Sequence, residues 1–284
     1  MTPTLVRQHL PRTGAVPRVA PRARARDWSE IQERMLVPLY EAVHERLDVG
    51  PTTRLLGLGC GSGLALLLAA SRGAAVTGVD TCADRLALAR ERLLPDEQRA
   101  PRARGDHRIV HGPPAQAART DAYTVVTAFE PIGCLAGDAE RLGDLLAEAV
   151  PLAGRGAAVV LTGWGPPERC ATASVLRVAT EPAEPPRGGT GAWRPPDRDD
   201  LERVAARAGL RPDGSGRVAC PFGYADADSA VRGLKSTGLF DPAVTATDQA
   251  QVDKELAEAL HPYRRQDGTV WMPNVFRYLV ARVP

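Results

Sequence analysis

An apolar run, Leu55-Leu56-Gly57-Leu58, leads directly into Gly59-Cys60-Gly61-Ser62-Gly63 and out into the helix-forming segment Leu64–Ala70. A strand that turns into a helix through closely spaced glycines lets backbone N–H groups approach a ligand at the positive end of the helix. Three nucleotide-binding patterns compete for such a turn. The dinucleotide fingerprint G-x-G-x-x-G fails from Gly57, where Ser62 holds the third glycine position, and from Gly59, where Leu64 holds it. The phosphate loop fails because no lysine follows Gly63. What remains is G-x-G-x-G at Gly59, Gly61 and Gly63. Asp80 ends the next apolar segment, 17 residues after Gly63. A doubly wound sheet places a carboxylate there beside the glycine turn, where it can accept both hydroxyls of a ribose.

The flanking sequence alternates between strand and helix periods. Arg54–Leu58, Ala75–Val79, Arg108–His111, Tyr123–Phe129 and Ala157–Thr162 read as strands. Helices are predicted over Leu64–Ser71, closed by Gly73, over Asp84–Leu94, with Thr81 and Asp84 at capping-box spacing, and over Asp138–Val150. Each crossover is long enough for parallel pairing, and right-handed connections then give an α/β fold, a doubly wound Rossmann-like sheet. Before the turn, Trp28–Leu47 carries Ile31, Met35, Leu39 and Val43 at helical spacing, with Pro38 expected to split the helix. Beyond the fifth strand the rhythm breaks. A Pro/Gly-rich loop occupies residues 181–197. Helix Asp199–Ala208, a strand near Arg217–Phe222, helices Asp226–Lys235 and Asp248–Leu260, and a strongly β-like Val275–Val283 follow.

The chain has 284 residues, enough for one large α/β domain, and 44% are apolar, enough to bury a full core. Lys+Arg number 36 against 34 Asp+Glu, but residues 1–26 hold six arginines and no acid. The remainder therefore carries 30 basic and 34 acidic residues, which argues against a nucleic-acid footprint on the folded part. Residues 1–27, with four prolines and no apolar periodicity, read as a flexible basic arm whose Arg22–Arg26 run is solvated. Five cysteines at wide spacing, without C-x-x-C, argue against a zinc site or disulfide framework and fit a reducing, cytoplasmic compartment. No signal peptide is visible, and the longest uncharged run, Leu55–Ser71, is short for a membrane span and holds four glycines.

With the apolar strand, G-x-G-x-G and the acid at Asp80 in place, the chain resembles the class I S-adenosylmethionine-dependent methyltransferases. It resembles more narrowly the small-molecule methyltransferases of bacterial secondary metabolism and antibiotic biosynthesis. VPLYEAV before the turn, VVTAF in the fourth strand, WGPPERC after the fifth and NVFRYLVAR at the end extend the likeness over most of the chain after residue 27. The resemblance implies a seven-stranded sheet with the last strand antiparallel. It also implies one domain over 28–284, in which 223–269 is a helical cap inserted before that strand. It implies S-adenosyl-L-methionine as cofactor, with Gly59, Cys60, Gly61, Ser62 and Gly63 toward the methionine part and Asp80 on the ribose. Thr81, His111, Gly112, Phe129 and Glu130 complete the expected cofactor contacts. Three departures stand out. Gly57 and Pro113 occupy positions where the family usually has acids, and Glu130 replaces a common Asn at the tip of the fourth strand. First and fourth strands are neighbours in this sheet order, so Glu130 can replace the carboxylate lost at Gly57 and pair with the cofactor's ammonium.

Methyl transfer from a sulfonium is an in-line displacement with a good leaving group already present. The protein then supplies orientation and water exclusion, and a base only where the acceptor keeps its proton. Glu130 and His261 are the candidate bases. Aromatic residues are 5% of the chain, and Trp28, Tyr40, Trp193, Tyr224 and Trp271 are the candidate walls of an acceptor pocket. The expected partner is a small organic molecule accepting at O, N or C, with no metal, nucleic acid or membrane involved. The alternative is a methyltransferase-fold protein that binds the cofactor without methylating, as a cyclase or scaffold.

Overall fold

The computed structural model describes residues 20–94, 106–180 and 196–284. Seven strands form one twisted sheet in the order β3-β2-β1-β4-β5-β9-β6. These are β1 (Arg54–Leu58), β2 (Ala75–Asp80), β3 (Arg108–His111), β4 (Tyr123–Ile132), β5 (Ala153–Trp164), β6 (Arg211–Ala219) and β9 (Val275–Arg282). β1 to β5 pair in parallel, and β9 runs antiparallel between β5 and β6. The expected seven-stranded sheet with its last strand antiparallel is the observed one. The strand expected near Arg217–Phe222 is two strands, β6 and β7 (Phe222–Tyr224), because Cys220-Pro221 interrupts the run.

The sheet buries both faces. Leu55, Val76, Val125, Val160 and Val280 pack on one side against α2 (Val37–Arg46), α3 (Leu64–Ser71) and α6 (Ala171–Thr180). Leu56, Val126, Val159 and Leu279 pack on the other against α5 (Asp138–Ala149) and α7 (Asp200–Arg207). Apolar residues at consecutive strand positions are what a sheet covered on both sides requires. Each fully buried Leu or Val contributes about 1.5–3 kcal/mol, which makes this two-sided core the main source of stability.

The segment before β1 departs from the sequence reading. Pro21–Asp27 is helix α1 rather than part of a flexible arm. Its Ala25 is buried and Arg24 pairs with Asp241 at 2.9 Å, whereas Arg22, 4.0 Å from Asp84, and Arg26 are exposed, as expected of a solvated run. Residues 1–19 lie outside the described residues. The chain then passes through a π-helical turn, Trp28–Gln32, and a tight 3-10 turn, Glu33–Leu36, before α2 opens at Val37 with Pro38 in its first turn. Pro38 thus splits the segment where a proline must, since its ring and missing N–H exclude it from a helix interior. We call residues 21–36 the strap.

Between β6 and β9 lie a two-stranded ribbon, β7 with β8 (Val270–Met272), and three helices, α8 (Ala227–Ser236), α9 (Asp241–Ala246) and α10 (Gln249–Leu260). Asp226 and Asp248 cap α8 and α10 by accepting from Ser229 N and Gln251 N. The expected capping box of α4 (Ala83–Leu93) does not form. Cys82 is its N-cap residue, and Asp80 rather than Thr81 takes the Cys82 N–H. The inserted elements close against the strap. Tyr224 Oη donates to Gln32 Oε1 at 2.9 Å, and a Cβ on Gly233 would meet Ile31 at 2.8 Å.

On α2, His44 is fully buried against the Phe129 ring, 5.9 Å between centroids, and neither ring nitrogen has a hydrogen-bond partner. Burial, aided by the nearby Arg72, lowers its pKa from 6.5 to about 4. The unfolded chain therefore binds the proton first, and stability falls as pH drops from about 6.5 toward 4. At pH 5 the loss from this residue is about 2 kcal/mol relative to pH 8. Denaturant unfolding of the wild type and His44→Leu across pH 5–8 should show a shallower pH dependence in the variant.

Candidate functional site

The glycine turn sits at the carboxyl ends of β1 and β2, where open α/β sheets bind ligands. Gly59, Gly61 and Gly63 have φ of +59°, +57° and +81°, a conformation that favours glycine. Cys60 N donates to Val79 O at 3.0 Å, joining the turn to β2. Asp80 then clamps it. Its Oδ2 accepts from Gly61 N and its Oδ1 from Cys82 N, both at 2.8 Å. Each carboxylate oxygen keeps a further lone pair for a ligand hydroxyl.

Gly57 is paired with Gly78 across β1 and β2. The missing side chains make room for Leu66 of α3 and for Cys60. A Cβ on Gly57 would lie 2.9 Å from Leu66 Cδ2, and one on Gly78 2.5 Å from Leu66 Cδ1 and 2.8 Å from Cys60 Sγ. The place of an acid on β1 is filled by apolar packing. Burial, with Asp80 and Glu33 nearby, pushes the Cys60 thiol far above its ordinary pKa, so it stays neutral.

A carboxylate does approach the turn from β4. Leu58 is in register with Ala128, and two residues further Glu130 places Oε2 3.6 Å from where a Cβ on Gly59 would lie. Glu130 is exposed. Neighbouring Phe129 turns the other way, its ring 4.7 Å from Tyr40 in the core. At the β3 end, His111 Nε2 lies 3.0 Å from Thr81 O, and Gly112 N donates to Asp80 O. Gly112 has φ +141°, and a Cβ there would lie 2.6 Å from Gln116 Oε1. The Gln116 amide, not singled out from the sequence, therefore lies over the backbone beside Pro113.

The strap covers the turn. Glu33 is 2% exposed; its carboxylate accepts from the Ser62 hydroxyl in a very short hydrogen bond, from Leu64 N at 3.4 Å at the start of α3, and from Arg92 at 2.8 Å. Arg92 also donates to Ser62 O at 2.9 Å and Ser29 Oγ at 2.6 Å. An acid at a helix N-terminus meets free N–H groups and a favourable dipole. Trp28 lies alongside, with the Arg85 guanidinium 4.3 Å above its ring. Its Nε1 is buried without a hydrogen-bond partner, 3.0 Å from where a Cβ on Gly61 would lie. Glu33 and Arg92 carried no motif in the sequence. Their pairing depends on a strap path that no local pattern encodes.

The remaining candidates separate. Tyr40 and Tyr224 are buried, and burial raises both phenols well above their ordinary pKa. They are packing residues rather than open pocket walls. Trp271 is 40% exposed under the Arg265 guanidinium, and His261 is exposed on a shallow groove with Lys254, Glu258 and Pro262. Among the described residues, neither has a hydrogen bond or ring contact with the turn. Trp193 lies outside the described residues. A small apolar cleft opens instead at the tips of β4 and β5, lined by Gly133, Cys134, Trp164, Cys170 and Leu176. Burial pushes the Cys134 thiol up to about 12, so it is uncharged there. Among the described residues there is no cluster of His, Cys, Asp and Glu set to hold a metal, and no helix long and apolar enough to cross a membrane.

The packing at Gly57 makes a sharp prediction. Gly57→Asp, which restores the common acid, forces Leu66 aside and buries a carboxylate among apolar groups. It should lower unfolding stability by about 1–3 kcal/mol without tightening ligand binding. Chemical denaturation together with calorimetric titration measures both.

Residues 56–150 match the sequence family described as "Methyltransferase domain". No curated protein sequence matches the chain. Among solved structures, a methyltransferase-like protein from Bacillus halodurans aligns with TM-score 0.53 and 14% identity over 86% of this chain and 98% of its own. The E. coli protein YjhP aligns with TM-score 0.51 and 18% identity over 92% and 99%. A coclaurine N-methyltransferase bound to N-methylheliamine and S-adenosylhomocysteine aligns with TM-score 0.51 and 12% identity over 86% and 72%. At these identities the structures establish the shared fold. The residues present fit such a cofactor: Asp80 beside the glycine turn with lone pairs free, the Glu130 carboxylate near Gly59, and an unpaired indole N–H over Gly61. Residues 56–150 carry the methyltransferase domain, and the whole chain has the fold of these structures.

Proposed function

We propose that the protein transfers the methyl group of S-adenosylmethionine to an O, N or C atom of a small, largely apolar organic acceptor of the natural-product type. The observation that carries this reading is Asp80, clamped to Gly61 N with lone pairs left for a ribose. It supports a donor site at the tips of β1 and β2, with Gly59–Gly63 along the methionine part and Thr81, His111 and Gly112 toward the adenine. Glu130 is the carboxylate for the cofactor's ammonium, delivered from β4 because Leu66 fills the place on β1. Bound there, the cofactor supplies an electrophilic methyl on a sulfonium. The protein's part is to orient, to exclude water and to hold the acceptor in line.

The cleft between Trp164, Cys134 and Cys170 holds about 10 Å³, room for one water, so an acceptor on this side of β4 requires it to open. Its apolar lining favours an acceptor without a formal charge. His261 has no part in this reading, because it lies on the outer groove of α10. All five cysteines are unpaired, which supports a reducing, cytoplasmic location.

Calorimetric titration with S-adenosylmethionine should give micromolar binding to the wild type. Asp80→Asn and Glu130→Gln should each weaken it at least tenfold, from loss of charged hydrogen bonds worth about 1.5–3 kcal/mol each. Undiminished binding in Asp80→Asn contradicts the donor site. Release of S-adenosylhomocysteine with a panel of apolar phenols, amines and enols tests transfer itself.

A further inference from the structure

The strap holds a polar group that neither the fold nor the core explains. The indole N–H of Trp28 is buried, has no partner, and faces the glycine turn at Gly61. An unpaired buried donor is costly, and native structures retain one where a ligand or water completes it. The ring is fixed in place from several sides. Arg85 stacks on it, and five residues on, Glu33 ties the strap to Ser62 Oγ, Leu64 N and Arg92. Arg92 reaches back to Ser29, the residue after Trp28. Every group in this network except the indole N–H has found its partner within the chain.

We infer that Trp28 is a cofactor-binding residue. Its Nε1–H donates to the α-carboxylate of the cofactor's methionine part, and the Glu33–Arg92 pair is the anchor that positions it. The inference rests on the donor site proposed above and adds a contact from outside the sheet. It also moves Trp28 from the acceptor pocket, where the sequence placed it, to the cofactor. The chemistry is selective. An indole N–H donates and cannot accept, so it matches a carboxylate and offers nothing to an ammonium. The ammonium is left to Glu130 on the other side of the turn, so the two ends of the amino acid meet opposite partners.

The test compares two ligands in calorimetric titration, S-adenosylhomocysteine and 5′-methylthioadenosine. They share the adenosine and thioether, and only the first carries the α-carboxylate. Trp28→Phe keeps an aromatic ring under Arg85 and removes the donor. It should weaken S-adenosylhomocysteine about tenfold and leave 5′-methylthioadenosine within twofold. Glu33→Gln, which loosens the anchor, should reduce the same discrimination between the two ligands in the same direction. It provides the answer if Trp28→Phe folds poorly by thermal melting. Equal losses for both ligands, or no loss for either, overturn the inference. A wild type that binds 5′-methylthioadenosine but prefers it over S-adenosylhomocysteine also overturns it. A wild type that binds neither ligand refutes instead the donor site on which the inference stands.

Discussion

Two carboxylates hold the glycine turn, and neither comes from the strand that precedes it. Asp80 accepts from Gly61 N at the end of β2, and Glu33 accepts from the Ser62 hydroxyl and the first N–H of α3. Three residues of the turn have positive φ, so the loop gains nothing from side-chain packing of its own glycines. Its shape depends on these outside acceptors. Much of the architecture around the site follows from supplying them. β2 must pair with β1 to bring Asp80 alongside, and the strap must run across the turn to bring Glu33. A buried Glu–Arg pair is expensive to desolvate, and removing one partner typically costs about 3–5 kcal/mol. The Glu33–Arg92 pair therefore makes the strap part of the domain rather than an appendage.

The same economy explains the glycine pair at Gly57 and Gly78. With no side chain at either position, Leu66 packs directly on the sheet, with Cys60 beside it. Apolar packing lies under the turn, and the nearest carboxylate on the β4 side is the exposed Glu130 near Gly59. The site is thus assembled from three strands and a strap. Its polar groups lie around the turn instead of beneath it.

The sheet and the turn were legible in the sequence because local patterns encode them. Apolar strands alternate with helical periods, glycines mark the left-handed positions, and Asp80 follows at the next strand end. The place of Glu130 was also legible, since it needs only the strand order and register. The strap was not. Arg24 read as part of a solvated run because the acid it pairs with, Asp241, is distant in sequence. Glu33 lies outside the apolar spacing that marked this helix, and a π-helical turn followed by a tight 3-10 turn directs it inward. Tyr40, Tyr224 and Trp271 show the limit of using aromatics as pocket markers. Two are core residues and the third is a surface ring under an arginine.

Hydrogen–deuterium exchange with and without S-adenosylhomocysteine tests the central claim most directly, that turn, ribose acid and strap form one cofactor site. The account predicts that the ligand slows exchange together in the glycine turn, in the segment around Asp80 and in the strap near Trp28–Glu33. It predicts no change in the outer groove of α10 around His261. Protection of the turn without the strap, or protection centred on α10, would contradict it.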